Sequence, residues 1–180
     1  MTQPTVIYFG ADKAHWREQR APPKVFLRTL LFATARRGRV IQSLHVTLTR
    51  NEARQTFNVW VYGEKDQLVR GSGLFVGEAG IAANHHFLTT PDGSPFTFIE
   101  GSYHLELFAQ LLGDRRPKRL LSQRLDISRD LATALRDEKA GLYFDWGPDS
   151  GRYLPHIEMR EPEIDPELFL KALNPSFDRN

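Results

Sequence analysis

Residues 39–50 read "RVIQSLHVTLTR", and their alternation decides the fold class. Val40, Leu44, Val46 and Leu48 fall on one side of an extended chain and Ser43, His45, Thr47 and Thr49 on the other, since successive side chains of a strand point to opposite faces. This is a strand with one apolar face and one wet face. The preceding stretch, "KVFLRTLLFAT" (24–34), is just as rich in β-branched and aromatic residues. Between them "ARRG" reads as a short hairpin turn in which Gly38 supplies a positive φ.

The same grammar continues downstream. "TFNVWVY" (56–62) puts Phe57, Val59 and Val61 on one side, "GEKD" is a polar turn, and "QLVRGSGLFV" (67–76) returns with glycines that suit a bulge or a close backbone approach. "NHHFLTT", the turn "PDGSP", "GSYHLELFAQLL" (101–112), the turn "GDRRPK" and "RLLSQRLDI" (119–127) follow. Short strands punctuated by turns at this spacing predict a mainly β protein, an antiparallel sandwich. Two segments read as helical. "SRDLATALRDEKAG" has Ser128 as N-cap and Gly141 beyond its end, and "DPELFLKALNP" starts on Asp165-Pro166 and stops at Pro175.

The expected organisation is a leader over 1–23 ending in "RAPPK", one sandwich domain over 24–160, and a tail over 161–180 with one short helix. A chain of 180 residues, 41% apolar and 26% charged, can bury one substantial core. Its 24 Lys and Arg nearly cancel 22 Asp and Glu, so no global field draws it to nucleic acid or to an anionic membrane. With no cysteine, disulfides, cysteine nucleophiles and thiolate metal sites are excluded. The first residues lack a basic region followed by an apolar run, so no secretory signal is expected and the cytoplasm is the expected location. No stretch approaches the ~18 consecutive apolar residues of a spanning helix.

"EGSYHLELFAQLL" resembles the strand of immunoglobulin-like and fibronectin-like domains that carries the tyrosine corner, with Tyr103 after a glycine-containing turn and Leu105 and Leu107 alternating inward. The resemblance implies a β-sandwich with the Tyr103 hydroxyl bonded to nearby backbone. The cysteine and tryptophan spacing of true immunoglobulin domains is absent, and architecture does not fix function.

Chemistry-bearing residues fall in four groups. His104 and Glu106 share a strand face at i and i+2, and His85 could complete a zinc or iron site with them; His86, adjacent to His85, points the opposite way. Asp145, Asp149 and His156, with Ser150, offer carboxylates, a base and a nucleophile within "GLYFDWGPDSGRYLPHIE" (141–158). Against that, "GPDS" is turn chemistry, G-x-S-x-G is absent there, and the stretch reads as a hairpin of "GLYFDW" and "GRYLPHIE". Tyr143, Trp146 and Tyr153 in that hairpin are candidate binding aromatics. Arg36, Arg37 and Arg39 at one turn, and Arg115, Arg116 and Arg119 at another, are the local charge bias, able to grip phosphate or an acidic partner.

Two functions are therefore expected to compete. The first is a non-catalytic module that binds a protein or small ligand through loops or a sheet edge, without cofactor, with self-association open, and with neither membrane nor nucleic acid as partner. The second is a metal-dependent or hydrolytic enzyme using His104, Asp145, Asp149 and His156.

Overall fold

A computed structural model of the chain describes residues 1–12, 21–64, 67–90 and 96–159. The helix expected after Asp165, the whole tail and the "PDGSP" turn lie outside the described residues. In chain order the strands are β1 (Val6–Ala11), β2 (Pro23–Leu31), β3 (Arg39–Arg50), β4 (Ala53–Phe57), β5 (Val59–Glu64) and β6 (Gln67–Arg70), then β7 (Leu74–Val76), β8 (Ile81–Leu88), β9 (Gly101–Leu111) and β10 (Lys118–Ile127). Among the described residues a single short helix, α1 (Arg129–Ala134), precedes β11 (Ala140–Gly147) and β12 (Arg152–Met159).

These strands form two antiparallel sheets packed face to face. Sheet A has seven strands in the order β12, β11, β1, β2, β8, β5, β6; sheet B has β10, β9, β3, β4, with β7 added beside the start of β3. The core lies between them, built from Ile7, Phe9, Val25, Leu27, Leu142 and Phe144 of sheet A and Leu44, Val46, Leu48, Leu105 and Leu107 of sheet B. Phe98 links the two layers, stacking 4.9 Å from Phe9 and 6.4 Å from Phe57. Burying each such side chain contributes about 1.5–3 kcal/mol against the entropy of ordering the chain.

Three expectations are corrected by the pairing. The segment read as a leader holds β1, which sits inside sheet A between β11 and β2 with Ile7 and Phe9 fully buried. "VIYFGA" is apolar or small at every position, so a strand flanked on both sides shows no alternation to read. Next, β2 and β3 do not form a hairpin. The "ARRG" turn exists, closed by Gly38 N–H to the Ala35 carbonyl at 2.9 Å with Gly38 at φ 67°. It carries the chain from sheet A to sheet B, so β2 pairs with β1 and β8, and β3 with β9, β4 and β7.

The third correction is of parity. In "TFNVWVY" the chain changes sheet at Asn58, and Trp60, rather than Val59 or Val61, turns inward beside Phe57. A bulge does the same in β3, where Ile41 faces Leu111 but Ser43 already faces Gln110, leaving Gln42 extra. Ile41 is therefore buried in place of Val40, while Leu44, Val46 and Leu48 point inward as expected. Thr47, expected on the wet face, is fully buried midway across sheet B between Thr56 of β4 and Glu106 of β9.

Other readings hold. Tyr103 is 2% exposed, and its hydroxyl donates to the Ile99 carbonyl and accepts from the Ile99 N–H, both at 2.9 Å. Ser128 caps α1, its hydroxyl accepting from the Leu131 N–H at 3.3 Å. The helix ends at Ala134, so Gly141 belongs to β11 rather than to a helix cap. Gly71 does mark a close backbone approach: a Cβ there would collide with the Trp60 ring.

Candidate functional site

β11 and β12 pair from Ala140 opposite Met159 to Gly147 opposite Arg152, so the stretch 141–158 is the expected hairpin. Its turn is closed by Gly151 N–H to the Gly147 carbonyl at 2.8 Å, and the Ser150 hydroxyl donates to that same carbonyl at 3.3 Å. His156 lies four residues along β12 from Arg152, roughly 13 Å of strand from the turn. Asp149 and Ser150 are therefore remote from it. Asp145 does meet His156, with its carboxylate 3.2 Å from Nδ1, and Glu158 lies 3.3 Å from Nε2. Both ring nitrogens thus have carboxylate neighbours on a half-exposed sheet edge, and the histidine is apart from Ser150.

The hairpin aromatics are packed rather than displayed. Tyr143 stacks on His156 at 5.5 Å and meets Tyr8 edge-on at 5.0 Å. Burial, then the charges of Glu158 and Asp145, push its hydroxyl above the ordinary tyrosine range. Trp146 and Tyr153 are cross-strand partners in edge-to-face contact at 5.1 Å. The Tyr153 hydroxyl donates to the Pro4 carbonyl at 2.8 Å and accepts from the Gln3 amide at 2.9 Å, tying the first residues to the sheet edge. Burial raises Tyr153 to about 12.

The histidines stand apart. His85 belongs to sheet A and faces the core opposite Leu27, with the Trp60 indole N–H donating to its Nδ1 at 3.1 Å. An accepting Nδ1 leaves the proton on Nε2, and Nε2 has no hydrogen-bond partner among the described residues. Burial, and to a lesser degree His86, lowers His85 to about 4. His86 points to the opposite face against Phe26, and burial followed by the Lys24 charge lowers it to about 4 as well, with Asp12 opposing. His104 and Glu106 lie in sheet B, where His104 Nε2 meets the Ser122 hydroxyl at 2.7 Å and Glu106 receives Arg119 at 2.8 Å. The proposed trio of His104, Glu106 and His85 is thus split between two sheets, and no group of three metal-binding side chains forms among the described residues.

What the fold does bring together is the pair of basic turns. The Leu112 N–H donates to the Val40 carbonyl at 2.9 Å, fixing the β9–β10 loop against the start of β3. Asp114 in that loop lies 3.7 Å from both Arg39 and Lys118. Gln110 pins the loop from below, donating to the Asp114 carbonyl at 2.6 Å. Arg36 and Arg37 occupy the tip of the β2–β3 turn, and Arg115 and Arg116 the β9–β10 loop, all exposed and without an ion pair among the described residues. Arg119 is held on Glu106 instead.

Apolar side chains stand at the same end. Phe75 is 58% exposed opposite Val40, and its ring lies over Gly38, where an added Cβ would come within 2.6 Å of it. Leu112 is 57% exposed on the other side of Val40. Phe32, 42% exposed, sits beside the 77–80 turn, held by the Ala33 N–H to the Gly77 carbonyl. None of these three emerges from the strand reading as a site residue. The signal was a break in alternation: in "LLF" (30–32) and "LL" (111–112), consecutive apolar residues at a strand end force one of them outward.

A scan against protein-family models, a search of curated proteins and a search of solved structures each return no match to this chain.

Proposed function

We propose that this protein is a non-catalytic binding module that engages an anionic partner through the loops at one end of its sandwich. The observation that carries this reading is the junction of two basic turns far apart in the chain, made by the Leu112–Val40 hydrogen bond and the Arg39–Asp114 ion pair. It brings together two turns that carry six cations, Arg36, Arg37, Arg39, Arg115, Arg116 and Lys118, and one carboxylate, Asp114. Unpaired guanidinium groups on hydrogen-bonded turns are suited to carboxylate, sulfate or phosphate, which they meet with two parallel donors. No cofactor is needed.

The rival enzyme reading keeps one favourable contact, Asp145 to His156, without the remaining members of its constellation. An immunoglobulin-like architecture for the sandwich is supported by the tyrosine corner at Tyr103. The test of the binding reading is retention on a heparin matrix. Wild-type protein is expected to elute at clearly higher salt than the quadruple variant Arg36→Gln/Arg37→Gln/Arg115→Gln/Arg116→Gln, at unchanged melting temperature. Identical elution of the two proteins would remove the reading.

A further inference from the structure

We infer that the anionic partner of the loop end is a membrane surface bearing acidic phospholipid, on which the protein sits peripherally. The inference rests on the loop-end reading above and adds the apolar residues to it. Three of the six large apolar side chains exposed among the described residues, Phe32, Phe75 and Leu112, stand at this one end. They come from three separate places, the residue after β2, the short strand β7 and the residue after β9. Phe75, Val40 and Leu112 form a row across β7, β3 and the β9 end, spanning roughly 10 Å at two strand spacings. Phe32 follows Leu31, the last residue of β2 in sheet A, so both layers contribute.

An anionic partner alone accounts for the arginines but leaves this apolar row in water. A bilayer interface satisfies both together. Its headgroups take the guanidinium groups, and its acyl boundary takes Phe32, Phe75 and Leu112 without requiring a groove. Single-stranded nucleic acid would use the phenylalanine rings as stacking platforms, but it has no use for the aliphatic Leu112. An acidic peptide would cover the arginines and leave the row exposed. The chain has no helix long and apolar enough to cross a membrane among the described residues, and the balanced total charge gives no attraction at a distance. Association must therefore combine local charge with apolar insertion, and removing part of either should weaken it.

Co-sedimentation of the full chain with vesicles tests this, comparing phosphatidylcholine alone with phosphatidylcholine containing phosphatidylserine. Binding is expected only with phosphatidylserine, and it should weaken with added salt. Arg36→Gln/Arg37→Gln should weaken it by about fivefold for each charge removed. Phe75→Ser/Leu112→Ser should weaken it at least tenfold with the heparin retention unchanged, which separates insertion from charge. Failure to bind either vesicle while heparin retention persists overturns the membrane inference and leaves the binding module standing. Vesicle binding unaffected by both double variants overturns the assignment to this end, and a wild-type chain that is held by neither heparin nor phosphatidylserine vesicles removes both readings.

Discussion

Tyr103 and His85 are both buried polar side chains, and they differ in how their polar atoms are satisfied. The Tyr103 hydroxyl serves both the N–H and the carbonyl of Ile99, so Tyr103→Phe should cost about 1 kcal/mol or somewhat more. An unchanged urea midpoint would contradict the corner. This was legible in the sequence because the whole device is local, with donor and acceptor four residues apart. His85 was not legible, since its partner Trp60 reaches it across a strand pair. With His85 held at about 4 in the folded state against an ordinary value near 6.5, the unfolded chain takes up its proton first as pH falls. The stability this lends is complete above the unfolded value and is lost as pH falls from it towards the folded one. Between about pH 7 and pH 5, wild-type unfolding free energy should therefore fall more steeply than that of His85→Gln. Parallel curves would show that His85 is not the group responsible.

Strand positions were readable one by one, while their partners were not. Alternation records which side of a strand is apolar, and in a sandwich either sheet can supply that apolar side. Hence "ARRG" and Asn58 looked like an ordinary hairpin turn and an ordinary strand residue, although both carry the chain between sheets. The extra residue Gln42 likewise cannot be seen until Ile41 and Ser43 are set against β9. The β11–β12 hairpin was readable because its turn chemistry is continuous in sequence, and it separates conformation from side-chain chemistry. Gly151 adopts φ 64° with nothing within 4 Å of an added Cβ. Gly151→Ala should then cost about 1 kcal/mol through backbone strain alone, whereas Ser150→Ala, an exposed residue with one long 3.3 Å contact, should stay within about 0.5 kcal/mol of wild type. Equal losses in thermal unfolding would mean that the turn is held by Ser150.

For the molecule as a whole, composition gave the sum of the charges and concealed their distribution. A net charge of +2 over 180 residues excludes a global field, yet two turns from distant parts of the chain, each readable as basic, meet at one end beside Phe75 and Leu112. That meeting depends on β3 lying between β7 and β9, a fact of topology invisible in a linear reading. The candidate aromatics Tyr143, Trp146 and Tyr153 make ring contacts within their hairpin, since a hairpin rich in rings is equally suited to building a sheet edge. The central claim is that the loop end is where this protein binds, and amide-resolved NMR of the full chain titrated with heparin oligosaccharide tests it most directly. Shift changes should concentrate in residues 32–40, 74–78 and 111–118 and should reverse with salt. Changes centred instead on Tyr143 and His156, or on the His104 face of sheet B, would contradict it.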